Sequence, residues 1–427
     1  MELMFIVFFA LLLIGVPIYA AIGTATILPL MVYGEFSPTM LPQTFFSGID
    51  NFVLMAVALF IISGAIMQAS GLTDDILEVA DSLVGNIPGG VGISTILAST
   101  LFAALTGSGL AATVAIGSIT IGGMIQRGYK PPLAGALSAT GGALGVLIPP
   151  SNPLIIYGVL SSTSIGTLFM AGMIPGLLIA LSFAVVMYFI GKRYNLRTTD
   201  NNFSWARVGR ALWKGKWGLL APVIILGSIY SGIATPTEAA ELAVFYALFY
   251  GLVIRRNVKA SQLVEAFRVG AVTAAVMLAM TGVASGFGRL TTLYQVPQSL
   301  GNWIASITDS PELVLLMLLG VLIITGMFME TLSQIIILTP IFVPILAELG
   351  INPVFFGVLL VLGIEMGFLT PPVGGNLFVA TKMSNSTILQ VSKYEVPFIL
   401  VILFWAIFLI FFPEIVLFLP NLIGGAG

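Results

Sequence analysis

The chain has 427 residues, 58% hydrophobic and 8% charged, with a mean hydropathy of +1.09, a composition far from that of a soluble domain and expected of an all-α polytopic membrane protein. Sixteen basic and eighteen acidic residues leave a formal net charge of -2, and no stretch reads as a nucleic-acid surface, so no nucleic-acid partner is expected. Neither Cys nor His occurs, which excludes disulfides, thiol catalysis, iron–sulfur clusters and a histidine proton relay.

Crossing the hydrocarbon core takes about 20 apolar residues. Apolar runs at 3–34, 53–72, 91–126, 131–163, 167–191, 217–254, 271–294, 311–347, 353–381 and 396–420 allow about ten crossings plus shorter pieces. None alternates, which excludes a transmembrane β-barrel. The first run has no Lys or Arg ahead of it and lacks the charged start of a signal peptide, so it is expected to stay in the protein as membrane-embedded structure, its number of helices left open.

Residues 91–126 turn on a polar tip, Thr106-Gly107-Ser108-Gly109. The arms, Ile93–Leu105 and Leu110–Ile125, are roughly 13 to 16 residues long, short of a crossing, and predict a re-entrant hairpin. The run 131–163 is interrupted by Pro149-Pro150. A proline pair frees backbone carbonyls where no water can reach them, so such a break persists only when buried in protein or lining a cavity. After 167–191 comes one hydrophilic stretch, 192–216, carrying Arg193, Arg197, Arg207, Arg210 and Lys214, a cytoplasmic linker by the positive-inside rule.

The second half repeats the first. Pro131, Gly145, Pro149, Pro150, Ser162, Ser164 and Pro175 recur 222 residues later as Pro353, Gly367, Pro371, Pro372, Ser384, Ser386 and Pro397. Phe45, Gly48, Met55, Ser63 and Gly64 match Phe267, Gly270, Met277, Ser285 and Gly286 at the same spacing, and Tyr19 and Ile22 match Tyr230 and Ile233 at a shorter one. The expected organisation is a first repeat over 1–191, the linker, and a second repeat over 217–427. The second repeat has a hairpin at 311–347 turning on Thr325–Glu330 and a broken helix at 353–381.

Placing Arg127 and Lys130 in the cytoplasm makes the first hairpin open inward and returns the chain inside at the linker. Two more crossings bring Arg255, Arg256 and Lys259 inside, the second hairpin then opens from outside, and Lys382 and Lys393 come back in. The repeats are therefore expected to be inverted, with both termini on the periplasmic side. Lys130 matches the uncharged Asn352.

A hairpin tip facing a proline break makes a cage of carbonyl and hydroxyl oxygens at half-helix ends, where partial negative charge suits a hard cation such as sodium. The first cage is expected from Thr106, Ser108, Gly145, Ile148 and Ser151, the second from Gly326, Glu330, Gly367, Thr370 and Val373. The plain alternative is that the glycines and prolines only allow close helix packing. Glu330 either balances a cation or is protonated and structural, and Glu365 equally suits a structural hydrogen bond. Arg289, inside an apolar span, either binds a substrate carboxylate or snorkels to the interface. Asn152 and Asn376 follow the breaks and, with Ser108, either contact substrate or cap the second half-helices. Asp74, Asp75, Glu78 and Asp81 read as a solvated helix face.

Taken together, the Gly-Ser-Gly tip, Ile-Pro-Pro-Ser-Asn at 148–152, Thr-Pro-Pro-Val-Gly-Gly-Asn at 370–376 and Pro340-Ile-Phe-Val-Pro344 resemble the large membrane subunit of tripartite ATP-independent periplasmic (TRAP) transporters, over essentially the whole chain. The resemblance implies an ion-transporter-superfamily fold, with a scaffold and a transport domain that moves as an elevator. It also implies sodium-coupled uptake across a bacterial inner membrane, with sodium ions between tips and breaks. Its partners would be a small four-helix membrane subunit and a periplasmic substrate-binding protein, this chain being the large subunit alone. Sialic acid is the expected substrate, with a C4-dicarboxylate or another organic acid open. The competing reading is a stand-alone sodium/dicarboxylate or citrate symporter of the same fold. An intramembrane enzyme is not expected, since no zinc motif or Ser-His pair exists without His, and broken inverted repeats favour alternating access over a passive channel.

Overall fold

Prolines and glycines decide where the apolar runs become helices, because they end or kink a helix wherever the backbone hydrogen bond or the φ angle fails. A computed structural model describes residues 2–33, 37, 39–85, 87–196, 204–308 and 310–423, which are almost wholly helical and contain no strand. The first run splits at Gly15 (φ +84°) into α1 (Glu2–Leu13) and α2 (Ile18–Tyr33). Next come α3 (Met40–Ile49) and α4 (Leu54–Ala69), a pair bent by 48°, and the amphipathic α5 (Leu72–Val84). The hairpin α6 (Gly90–Thr106) and α7 (Gly109–Gln126), the half-helices α8 (Pro131–Leu144) and α9 (Asn152–Ser161), and the long α10 (Ile165–Arg193) complete the first half.

The second half opens with α11 (Trp205–Tyr230) and α12 (Pro236–Phe249), which a π-helical turn extends to Ile254. It continues with α13 (Ala260–Leu293), α14 (Val296–Ala305), the hairpin α15 (Pro311–Gly326) and α16 (Thr331–Glu348), the half-helices α17 (Pro353–Phe368) and α18 (Gly375–Met383), α19 (Ile388–Phe411) and α20 (Glu414–Ile423). Among the described residues six helices are long and apolar enough to cross a membrane, or seven with the α3–α4 pair counted as one. That is fewer than run length predicts, because turns and breaks divide several runs into shorter apolar helices.

The two halves pack on each other through matching positions. A Cβ built on Gly48 would lie 2.2 Å from Ser285 Oγ, and one on Gly270 would lie 2.1 Å from Ile62 Cγ1. The start of the α3–α4 pair thus meets the end of α13 and the reverse, so the two run antiparallel. The half-helices do the same. A Cβ on Gly135 of α8 would be 2.6 Å from Ser384 at the end of α18, and one on Gly357 of α17 would be 2.5 Å from the Tyr157 ring of α9. Tyr157 Oη also donates to the Pro353 carbonyl at 2.7 Å.

In the stretch 192–216, Arg197 and the residues up to 203 lie outside the described residues, and from Trp205 the chain is helical. Here the structure corrects the reading of α5 as a solvated face. Arg207 pairs with Asp81 at 2.5 Å, Lys214 with Glu78 at 2.5 Å, and Arg255 with the buried Asp75. The hydrogen bond to Asp75, then that to Tyr250, raises the Arg255 pKa above its ordinary value. Partners so far away in sequence leave no local signal on α5.

Candidate functional site

At the first tip, Gly107 takes φ +58°, and a Cβ there would lie 2.4 Å from the Pro150 carbonyl oxygen. This approach lets the Asn152 amide donate to the Gly107 carbonyl at 3.2 Å, while Asn152 Nδ2 reaches the Thr106 carbonyl at 3.4 Å. Asn152 Oδ1 is buried and accepts no hydrogen bond from any described residue. A Cβ on Gly145 would be 3.1 Å from the Ser108 carbonyl oxygen. Thr106, Ser108, Gly145, Ser151 and Asn152 are therefore brought together. Ser108 caps α7 by accepting from Ala111 N at 3.4 Å, and Ser151 caps α9 by accepting from Leu154 N at 3.2 Å while donating to the Val146 carbonyl. The Ile148 side chain is buried and packs where Gly176 leaves room.

The second tip meets its break in the same way. The Gly374 amide donates to the Met327 carbonyl at 3.3 Å. Gly326 and Gly367 stand back to back, a Cβ on Gly367 falling 2.6 Å from Gly326 Cα. Thr370 Oγ1 donates to the Met366 carbonyl at 2.7 Å, and Val373 is 49% exposed. Glu330 caps α16, accepting from Leu332 N and Ser333 N at 3.1 and 3.2 Å. Both breaks carry a cis bond, Pro149-Pro150 and Pro371-Pro372.

Both tips converge on one cavity of about 430 Å³, within the usual range of small-molecule sites. Thr106, Ser108, Asn152 and Glu330 line it together with Gln68 of α4, Thr273 of α13, Thr331 and Glu365. Among the described residues its ionisable groups are the two carboxyls, and no Lys or Arg lines it.

Two expected substrate contacts fall elsewhere. Arg289 is exposed and makes no ion pair among the described residues. It lies twelve positions beyond Met277, the last α13 residue on the cavity wall, or about 18 Å along the helix. Asn376 is buried behind the wall, accepting from Thr113 Oγ1 at 3.3 Å and donating to Glu365 at 3.4 Å. Neither asparagine is a helix cap, since Ser151 and Gly374 hold those positions.

Sequence reasoning left Glu365 undecided and missed its partners. Thr331 Oγ1 donates to Glu365 Oε1 at 2.7 Å, so Thr113, Asn376, Glu365 and Thr331 form one hydrogen-bonded chain from the first hairpin to the second. The charge of Glu365, six residues before Pro371, was the available signal, and the matching position in the first half is the apolar Ala143. The partners, drawn from α7, α16 and α18, show no common spacing.

The family model of the tripartite ATP-independent periplasmic transporter, DctM component, matches residues 5–415. The isethionate TRAP transporter permease protein DctMQ of Oleidesulfovibrio alaskensis is 40% identical over 97% of this chain, which spans 65% of that protein's length. The C4-dicarboxylate TRAP transporter large permease protein DctM of Pseudomonas aeruginosa is 36% identical, over 95% of this chain and 94% of its own. The sialic acid TRAP transporter large permease protein SiaM of Vibrio cholerae is 37% identical, over 98% and 97%. These relatives are transporter permeases, not enzymes. Among solved structures, the YdaH transporter of Alcanivorax borkumensis superposes with a TM-score of 0.67 at 14% identity, covering 92% of this chain and 96% of that one. That likeness concerns the fold alone. With the family model running nearly end to end and two large permeases matched over almost their full lengths, this chain belongs to the DctM family of tripartite ATP-independent periplasmic transporter components.

Proposed function

We propose that this chain moves a small organic anion inward across a bacterial inner membrane by sodium-coupled secondary transport. It receives the anion from a periplasmic binding protein and works beside a small four-helix membrane subunit. The observation that carries this is the single cavity on which both hairpin tips and both broken helices converge. Isethionate, C4-dicarboxylate and sialic acid, named for the relatives, share only an acidic group on a small polar body. Sialic acid stays on that panel, although Arg289, one basis for expecting it, does not line the cavity.

Sodium fits the chemistry of the donors. The tips and breaks offer carbonyl and hydroxyl oxygens, Asn152 Oδ1 is buried without a donor, and no cluster for a transition metal exists among the described residues. Thr106, Ser108, Gly145, Ile148 and Ser151 would hold one ion, and Gly326, Glu330, Gly367, Thr370 and Val373 another. An anion entering a cavity whose ionisable groups are Glu330 and Glu365 needs positive charge brought with it. Bound sodium ions would supply that charge, which supports coupling to sodium.

The antiparallel course of α3–α4 and α13, and of α8 and α18, supports inverted repeats with re-entrant hairpins and both termini periplasmic. The backbone ties between each tip and its break support movement of hairpin and broken helix as one body, as an elevator requires. The test is uptake of labelled isethionate, a C4-dicarboxylate and sialic acid into proteoliposomes holding this chain, its small subunit and the binding protein. We expect uptake of one of them that needs both an inward sodium gradient and the binding protein. Uptake without the binding protein would identify a stand-alone symporter, and uptake of none would overturn the proposal.

A further inference from the structure

The central cavity does not end at Gln68. Beyond it a second cavity of about 310 Å³ lies between the end of α4 and the start of α13. Ala65, Gln68 and Val269 are walls of both, so the two are consecutive chambers of one groove. Because α4 and α13 run antiparallel, this groove leads toward the residues just before α13, where Arg255, Arg256 and Lys259 mark the cytoplasmic side.

Its chemistry suits the passage of an anion. The one carboxylate on its wall, Glu265, is engaged by Arg268 through two hydrogen bonds of 2.8 and 2.6 Å, so it presents little uncompensated negative charge. Gln68 is exposed where the chambers meet and its carboxamide makes no hydrogen bond to any described residue. A free carboxamide can donate to an anion without holding it as a guanidinium would.

We infer that the groove between α4 and α13 is the cytoplasmic exit for the organic anion, and that Gln68 passes the anion from the central cavity into it. This assignment rests on the transport reading above. The chain contains no cysteine, so Gln68→Cys reports on the junction of the two chambers and Ser261→Cys on the second, without background from this chain. Ile233→Cys, at an exposed site between α11 and α12, marks the opposite side of the membrane.

The test treats the assembled transporter, in vesicles of both orientations, with a membrane-impermeant anionic thiol reagent. We expect Ser261→Cys to react only from the cytoplasmic side and Ile233→Cys only from the other. Reaction at Gln68→Cys should reduce uptake to the level of empty vesicles, and excess substrate should slow that reaction. Gln68→Glu, which puts a like charge in the path, should raise KM for the anion while the protein still assembles. Labelling of Ser261→Cys from the periplasmic side, or unchanged uptake with both adducts in place, would overturn the exit. Loss of uptake in the unmodified chain would overturn the transport reading with it, so the two failures are told apart.

Discussion

Asn376 spends both ends of its carboxamide on partners from different segments, accepting from Thr113 and donating to Glu365. Asn376→Ala would leave a buried hydroxyl and a buried carboxyl each short of a partner, a cost of about 1–3 kcal/mol. A lower Tm of the purified protein in detergent would register it, and an unchanged Tm would show that the link bears no structural load. Gly107 is sensitive for a different reason. Its φ of +58° and its nearness to Pro150 leave no room for a side chain, so Gly107→Ala should destabilise by about 1–3 kcal/mol through backbone strain and abolish uptake. Little of this was legible in the sequence. Asn152 and Asn376 look like counterparts because each follows a proline pair, yet in the 222-residue register Asn152 matches Gly374. Arg289 attracts notice because it is charged within an apolar run, but hydropathy does not say which way a helix face points.

At the level of elements, the hairpins and broken helices were readable, because proline and glycine announce an interruption locally. The contrast between α3–α4 and α13 was not. The same register holds one kinked pair and one continuous helix of 34 residues, and an apolar run looks alike in both cases. Packing between elements was equally hidden. Gly326 and Gly367 seat α15 against α17 with no side chain between them, so Gly367→Ala should force the pair apart at about 1–3 kcal/mol of overpacking. Thermal unfolding together with uptake would check this, with both falling. The ion pairs that clamp α5 to α11 and to the end of α12 give another expectation. Asp75→Asn strands Arg255 and weakens the Lys214 contact. Because Arg255 is about one third exposed, the loss should stay near 1–3 kcal/mol, below the figure for a fully buried pair. A double-mutant cycle with Arg255→Gln would measure it.

Across the whole molecule, the sequence repeat reappears as reciprocal contact: Gly48 against Ser285 is answered by Gly270 against Ile62. The register alone showed that two copies exist but not that each copy supplies the surface on which the other packs. An inverted arrangement makes a direct demand on topology. Lys130 and Asn352, equivalent in the repeat and both exposed, should lie on opposite faces of the membrane. Lys130→Cys and Asn352→Cys labelled from each side should therefore give opposite patterns, and reaction of both from one side would rule out inversion. The ties from Asn152 to Gly107 and from Gly374 to Met327 have a consequence of another kind. Both are made by main-chain atoms, so removing a side chain does not delete the bond itself, and descendants can exchange the residue that donates it, as asparagine in one copy and glycine in the other already illustrates. What such a joint cannot survive is a change in chain length. Insertions or deletions within 145–151 or 369–374 are the lesions to which each tip is most vulnerable, and length there is what inheritance must preserve.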